Sequence, residues 1–584
     1  MSSTGGSGAA AADATGTARR PAGRADADAA GAGGAGNDGA GAGAAAGRRP
    51  ARRLLAGGGW AVAAAAAFAV YLRLASTRAV NSDGASVALA AWDMLHGNLL
   101  LRGWTLSDVP FSTTEVPQYA LIELVHGLDQ NVVHIGAAMT YTLVLLFVAL
   151  VSRGTATGRA AAARIAIGVG IMLAPQLASG TNALVSSPDH IGTSVPLLLI
   201  LLILDRVRRP RWWVPAIVAV LLAWAQLADS IVLLAAVIPL AVVCAFRVAR
   251  SRQRRPAQWY EIALAGGAVA GLAVAQIAYR VIRAVGGYTE RPLGTQLAPL
   301  NEIFLHNLPI AAQCLLLLPG ADFLGLSAGA STLFVALHLV GVAAAGAGIA
   351  VAAWRFRRRQ ADLVSQLLLA GIVVNFVAFV ATTHVFNVAS AREIAPVLPF
   401  AAVLAGRELG PYLGAARPSG RRLRAPRYRR AAVAALGLVL AGYLAGLGLE
   451  LSAPTAPPQA APLTAWLESH PIGTGLSGYW EANVVTLTSG GRVAVRPVAV
   501  TGGRIAPSVS QIRDDWFNPA RSRVDFVVLR PAVPGAPGVP GVPGYPGFTD
   551  RQLVLATFGK PSRTYHVGQY TILWWPKNLL ADIR

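Results

Sequence analysis

The sequence predicts a polytopic α-helical membrane protein with a small α/β domain at its C-terminal end, and three observations predict it. Of 584 residues, 54% are hydrophobic and only 13% charged, with a mean hydropathy of +0.50, which is the composition of a chain whose main solvent is lipid. The apolar residues gather into about eleven runs near bilayer length, where every backbone group must find its partner inside its own helix. The arginines behind the formal charge of +22 gather in every second gap between those runs. Such alternation marks the cytoplasmic side of a threaded chain. A nucleic-acid-binding surface would spread the same charge over one soluble face, so no nucleic-acid partner is expected.

Residues 1–50 are Ala, Gly, Ser and Asp with scattered Arg and no apolar period. They bury too little surface to offset the entropy of ordering and are expected to form a disordered cytoplasmic tail. The apolar run after Arg48, Arg49, Arg52 and Arg53 starts too late and runs too long for a cleaved signal peptide. It opens a membrane domain over 51–451. Spans are expected near 54–75, 132–151, 163–179, 190–205, 212–229, 231–247, 260–281, 331–354, 362–381, 393–409 and 431–451. Arg collects before Leu54 and at 153–164, 206–211, 247–255, 355–359 and 407–430. This places the N-terminus inside and the C-terminal domain outside a bacterial plasma membrane. The run Ile303–Pro319 would invert every later loop if it crossed, so it is expected to be interfacial or re-entrant. Residues 212–247, broken at Asp229 and Ser230, suit two helices joined by a tight outer turn that Asp229 caps. The two cysteines, Cys244 and Cys314, lie in apolar runs and build neither a disulfide framework nor a metal cluster. Scarce Lys beside abundant Ala, Gly and Arg matches the coding bias of actinobacteria.

A Pro-rich linker over 452–462 leads into an extracytoplasmic α/β domain over 463–584. RVAVRPVAV, VDFVVLR and YTILWW read as strands, and Leu463–Ser469 and Thr549–Phe558 as helices between them. PGAPGVPGVPGYPG has too few triplets for a collagen helix and reads as a polyproline-type surface loop.

The first outer loop, 76–131, is too rich in acids, His and Trp for a passive connection. Asp83 follows the first span at the membrane mouth, ahead of an amphipathic stretch with Trp92, Leu95, Leu99 and Leu100 that suits an interfacial helix. Ser-Asp-Gly is also ordinary turn chemistry, which would make Asp83 a cap for a helix beginning at Ser86. Glu115 reads as a second acid or as a partner for Arg102. Arg392 stands at an outer helix mouth, where positive residues are depleted, and suits a phosphate. His96, His190 and His384 lie near outer boundaries, where a histidine binds phosphate or simply satisfies the interface. Asp189 with His190 either faces the same cavity or caps a helix.

With these residues in place, the chain resembles the GT-C superfamily of membrane glycosyltransferases, over about residues 54–410. Asp83 in NSDGAS matches the place of that family's catalytic carboxylate, HGNLLLRGW its Gly-rich loop turn, FSTTEVPQY its later aromatic and acidic stretch, and SAREIAPVLP in part its late-helix motif. Glu393 stands where an aromatic is usual, and no second acid adjoins Asp83. The resemblance implies sugar transfer from a polyprenyl-phosphate donor to a cell-wall glycan or lipid-linked acceptor. Asp83 and Glu115 are then the catalytic carboxylates, Arg392, His384 and His96 the donor-phosphate ligands, and Tyr479 and Trp480 of the outer domain the acceptor contacts. No metal ligands are assigned, and use of a divalent cation is left open.

The chemistry agrees, because sugar transfer needs a base for the acceptor hydroxyl and cations for the departing phosphate. Neither a Walker nor a dinucleotide-binding nor a zinc-protease motif occurs. A transporter or flippase of lipid-linked sugars is the main alternative, although no internal repeat is visible. A non-catalytic envelope scaffold is the third.

Overall fold

The computed structural model describes residues 39–583 except 174–182, 186–187, 208, 251–257, 292–293, 325–329, 415–426 and 531–549. The expected disordered tail lies outside the described residues up to position 38, and the chain is helical from Gly39. The Pro-Gly run of the C-terminal domain also lies outside them. Contacts divide the chain after Val62, and the membrane bundle from Ala63 on, its loops and the C-terminal domain all belong to the second unit, Ala63–Arg584.

The helices of the membrane domain are α1 (Gly39–Ala75), α2 (Ser82–Leu95), α3 (Glu115–His126), α4 (Asn131–Arg153), α5 (Gly158–Leu173), α6 (Ser194–Arg206) and α7 (Trp213–Ala228). They continue as α8 (Leu233–Arg250), α9 (Gln258–Ala284), α10 (Leu300–Leu317), α11 (Ala330–Arg357), α12 (Leu363–Ala381), α13 (Val397–Gly414) and α14 (Arg427–Ser452). Among the described residues, eight helices are long and apolar enough to cross a bilayer, or nine if the bent pair Val388–Ile394 and Val397–Gly414 is one span. The expected count of eleven is therefore not reproduced on length. The run at 163–179 is described only as far as Leu173, and those at 190–205 and 212–229 fall on helices of 13 and 16 residues, short of the ~20 a bilayer asks for. The run at 190–205 is shortened because its first residues, His190–Thr193, form a turn and not a helix.

α10 is the segment expected to be re-entrant, and its length alone would let it cross. The His306 ring meets the Val385 carbonyl at 3.0 Å and the Cys314 thiol meets the Val388 carbonyl at 3.8 Å, so both halves of the helix lie along one short segment at one end of the bundle.

Helices α5 and α13 cross closely because Gly406, Gly410 and Gly414 recur every fourth residue on one face of α13. A Cβ on Gly406 would lie 2.6 Å from the Arg164 carbonyl oxygen, and one on Gly410 would lie 2.9 Å from the Arg164 Cα. Small residues at this spacing let helix backbones approach inside a membrane. The crossing ends in an ion cluster, buried at Arg407, Asp205 and Glu408, that joins the arginine-rich connections. Arg407 pairs with Asp205 at 2.9 Å and with Asp362 at 2.8 Å, while Glu408 takes Arg355 at 2.7 Å.

At the opposite end the first loop and the C-terminal domain form one body. A three-stranded sheet joins β1 (Trp104–Leu106) to β2 (Thr289–Glu290) on one side and to β6 (Ile512–Arg513) of the C-terminal domain on the other. That domain contains α15 (Ala461–Ser469), α16 (Tyr479–Thr488) and α17 (Arg551–Phe558). Its six-stranded sheet has the order β5-β4-β3-β7-β9-β8, built from β3 (Gly475–Ser477), β4 (Val495–Thr501), β5 (Arg504–Pro507), β7 (Phe526–Leu529), β8 (Arg563–Val567) and β9 (Tyr570–Trp574). Along β7, Phe526 and Val528 pack with α15 and α16 on one face, and Val527 and Leu529 pack with α17 on the other. The period of two makes a three-layer α/β/α sandwich. All three strands and both helices read from the sequence are present.

Candidate functional site

The site is assembled at the loop end of the bundle from six segments. Helix α2 starts one turn earlier than the Ser86 start expected from sequence, and its cap is Asn81, whose side chain accepts from the Gly84 N–H at 3.0 Å. Asp83 is thereby released from capping. Its Oδ1 accepts from the Tyr479 hydroxyl at 2.5 Å, and its Oδ2 lies 3.7 Å from Arg392. Tyr479 reaches it because α16 docks on α2: the Asn483 amide donates to the Ser86 hydroxyl at 2.8 Å, and Val484 and Leu487 enter the apolar layer around Trp104 and Tyr119.

Arg392 lies on the 3-10 turn Val388–Ile394 that leads into α13, with its side chain half-exposed at 50%. Desolvation works against its charge, but the fields of Asp189 and Asp83 outweigh it and hold the guanidinium above its usual range. Next to it, Glu393 lies 3.6 Å from the Arg392 Nε and 3.1 Å from the His190 Nε2. Burial opposes ionisation of Glu393, yet the charges of His190 and Arg392 hold its carboxyl down at about 2. The other nitrogen of His190 is 2.8 Å from Asp229 Oδ2.

Asp229 does cap the turn expected after α7, since its Oδ1 accepts from the Ile231 N–H at 3.0 Å. Its second oxygen also takes the Thr193 hydroxyl, a role that a turn signal in sequence does not reveal. Glu115, first residue of α3, is 3% exposed, accepts from the Thr114 hydroxyl and sits in the fields of Asp229 and His190. Burial raises its carboxyl to about 7. A Cβ on Gly192 would overlap Glu115 Oε1, so the absence of a side chain at residue 192 lets the turn carrying Asp189 and His190 close over Glu115 in its present position. Asp189 is likewise raised to about 7 by burial, against the opposing pull of Arg392.

Of the expected site residues, Asp83, Glu115, Arg392 and Tyr479 thus converge. Trp480 packs edge-on to the Tyr479 ring with centroids 5.1 Å apart. His384 stands at the rim, with Nε2 2.6 Å from the Thr295 hydroxyl and its field felt by Glu393. His96 is elsewhere. It ends α2, thirteen residues and therefore about 20 Å along the helix from Asp83, with Nδ1 bound to the Trp92 carbonyl at 2.7 Å. There it lines a separate polar cavity with Arg102 and Arg513, so Arg102 is not the partner of Glu115. In the sequence, Asp189 and His190 each carry two readings, and Glu393 is only a departure from a motif; the structure adds all three to the cluster. Among the described residues, no group of three or more His, Cys, Asp or Glu is arranged to hold a metal ion.

Chemically, the cluster sets a carboxylate beside a half-exposed guanidinium, next to two carboxyls that burial keeps protonated up to about pH 7. That combination accepts a proton at one point and stabilises a departing anion at another.

No family model and no curated protein matches the sequence. Solved structures do. ArnT from Cupriavidus metallidurans bound to undecaprenyl phosphate aligns with a TM-score of 0.53 at 14% identity, over 88% of this chain and 98% of that one. The apo state of the same protein aligns with a TM-score of 0.51 at 15% identity, over 91% and 99%. The Archaeoglobus fulgidus oligosaccharyltransferase tethered with an acceptor peptide aligns with a TM-score of 0.42 at 13% identity, over 80% and 69%. The chain is a multi-pass membrane protein with the fold of ArnT, membrane bundle and C-terminal domain together.

Proposed function

We propose that this protein is a membrane glycosyltransferase that moves a sugar from a polyprenyl-phosphate donor to a cell-envelope acceptor, a cell-wall glycan or a lipid-linked glycan. The observation that carries the proposal is the meeting of Asp83 and Arg392, from segments some three hundred residues apart, within 3.7 Å at the mouth of the bundle. The ArnT fold supports it, since that protein was solved with undecaprenyl phosphate bound. In the reaction, an acceptor hydroxyl oxygen forms the new bond to the anomeric carbon and its proton passes to the Asp83 carboxylate. The bond from that carbon to the phosphate oxygen breaks, and the lipid phosphate leaves with the electron pair beside Arg392. Glu115, protonated below about pH 7, lies buried under the turn of Asp189 and His190 and supports that turn without touching the substrate. Tyr479 fixes the orientation of Asp83, and Trp480 lines the acceptor side.

The arginine-rich connections lie at the end opposite the site, which argues for a cytoplasmic N-terminus with the site and the C-terminal domain outside. A reporter that is active only outside the cytoplasm, fused to the C-terminus, is expected to give signal; signal from a cytoplasm-only reporter would reverse the orientation. The activity itself is tested by supplying purified full-length protein with a radiolabelled polyprenyl-phosphate sugar and a cell-wall glycan acceptor. Label is expected in the glycan. Movement of label across vesicles without transfer would favour a flippase, and neither outcome a scaffold.

A further inference from the structure

Beside the pair that the proposed reaction uses runs a second polar line with no part in it. His190 is 6% exposed and both of its ring nitrogens face carboxylates, Asp229 at 2.8 Å and Glu393 at 3.1 Å. An imidazole donates from both nitrogens only when it carries both protons. Asp229 is 1% exposed and is pinned by the Ile231 N–H and the Thr193 hydroxyl, so this end of the line cannot swing. The Glu393 side chain is 29% exposed, and its other oxygen lies 3.6 Å from Arg392. Charges therefore alternate along Asp229, His190, Glu393, Arg392 and Asp83, from the buried turn after α7 out to the carboxylate at the start of α2.

We propose that His190, held as an imidazolium by Asp229, is a positioning residue that draws Glu393 away from Arg392 and leaves the guanidinium free for the phosphate of the donor lipid. This deepens the function proposed above and rests on it. A neutral His190 satisfies one carboxylate at most. Glu393 then turns its full charge on Arg392 and competes with the phosphate for the same cation. The groups that face His190 are Asp189 in its own turn, Asp229 from the turn after α7, Glu393 and Arg392 from the 3-10 turn, and Glu115 from α3. Burial favours the neutral ring, but Asp229 and Glu393 overcome it and the net shift is well upward. Asp189 and Glu115, both at about 7, add negative charge only as the pH rises past neutrality.

The test is the affinity of purified full-length protein for undecaprenyl phosphate, measured by direct binding, alongside kcat and KM for the sugar-charged donor. His190→Gln is expected to weaken lipid-phosphate binding and raise donor KM about tenfold, with a smaller change in kcat. Adding Glu393→Gln should bring both back to within about threefold of wild type, because the stranded carboxylate is gone. In wild type, donor affinity should fall as pH rises through the titration of His190, and Glu393→Gln alone should make that fall shallower, leaving the part that Asp189 and Glu115 add. This arm decides the matter if His190→Gln does not fold. Binding unchanged in His190→Gln, a defect that Glu393→Gln does not relieve, or a pH dependence as steep in Glu393→Gln as in wild type would overturn the proposal. Tight lipid binding by a wild type that transfers no sugar would instead overturn the glycosyltransferase reading and leave the binding arm to judge His190.

Discussion

The two ends of the bundle each set arginines among carboxylates, and they do so to opposite effect. At the arginine-rich end, Arg407 is 8% exposed and closes on Asp205 and Asp362, while Glu408 closes on Arg355. Arg407 and Arg355 there hold their anions at 2.7–2.9 Å. At the loop end, Arg392 is half-exposed and stands 3.6–3.7 Å from its two carboxylates, too far for the short contacts of a finished ion pair. Carboxyl groups outnumber cations there, and two are kept protonated by burial until about pH 7. A closed network holds helices together; an open one keeps a charge in reserve for a ligand.

The sharpest way to break this contrast is to remove the arginine from each end. Arg407→Ala should cost about 3 kcal/mol, the low end for breaking a buried pair, because it leaves the buried Asp205 without its close partner while Asp362 stays solvated. It should be read as low yield and a depressed melting temperature in detergent, with transfer per folded molecule little changed. Arg392→Ala should do the reverse, with normal yield and melting but most transfer lost. Arg392→Lys, which keeps the charge without the planar fork, should retain part of it. Equal effects on folding from both alanine variants would erase the distinction.

A smaller effect concerns Glu115. Its carboxyl is raised to about 7 by burial, so the folded state holds that proton more tightly than the unfolded chain does. Stability is then lost as pH climbs from the usual carboxylate range through about 7. Glu115→Gln should therefore melt close to wild type at pH 5 and higher than wild type at pH 8. The gain should be of order a few kcal/mol from the size of the shift, at the expense of activity. An unchanged difference between pH 5 and pH 8 would mean that the carboxyl is not buried as described.

The same division separates what is legible in the sequence from what is not. Apolar run length, arginine alternation and the period of two in VDFVVLR are local signals, and the membrane class and the C-terminal strands are legible from them. Asp83 and Arg392 are legible because each is a charge out of place, an acid or a base at a helix mouth. The strands that lock the first loop to the outer domain are only two or three residues long and have no periodicity to detect. The three glycines of α13 look like helix-neutral filler until the backbone of α5 is against them. The place of His96 escapes the sequence because distance along α2 says nothing about which way the helix runs from the mouth. Asp229 reads as a cap and is one, but its second oxygen serves a histidine thirty-nine positions away. Such pairings exist only after the bundle has formed.

The central claim is that Asp83 takes the acceptor proton, and Asp83→Asn tests it most directly. Asn keeps the shape and the hydrogen bond from Tyr479 while removing the basicity, and Asn81 still caps the helix. Purified Asp83→Asn should insert and melt like wild type, and its sugar transfer from a polyprenyl-phosphate donor should fall by about 10²- to 10⁴-fold, the usual worth of general-base assistance. Transfer at the wild-type rate would contradict the account and remove Asp83 as the base.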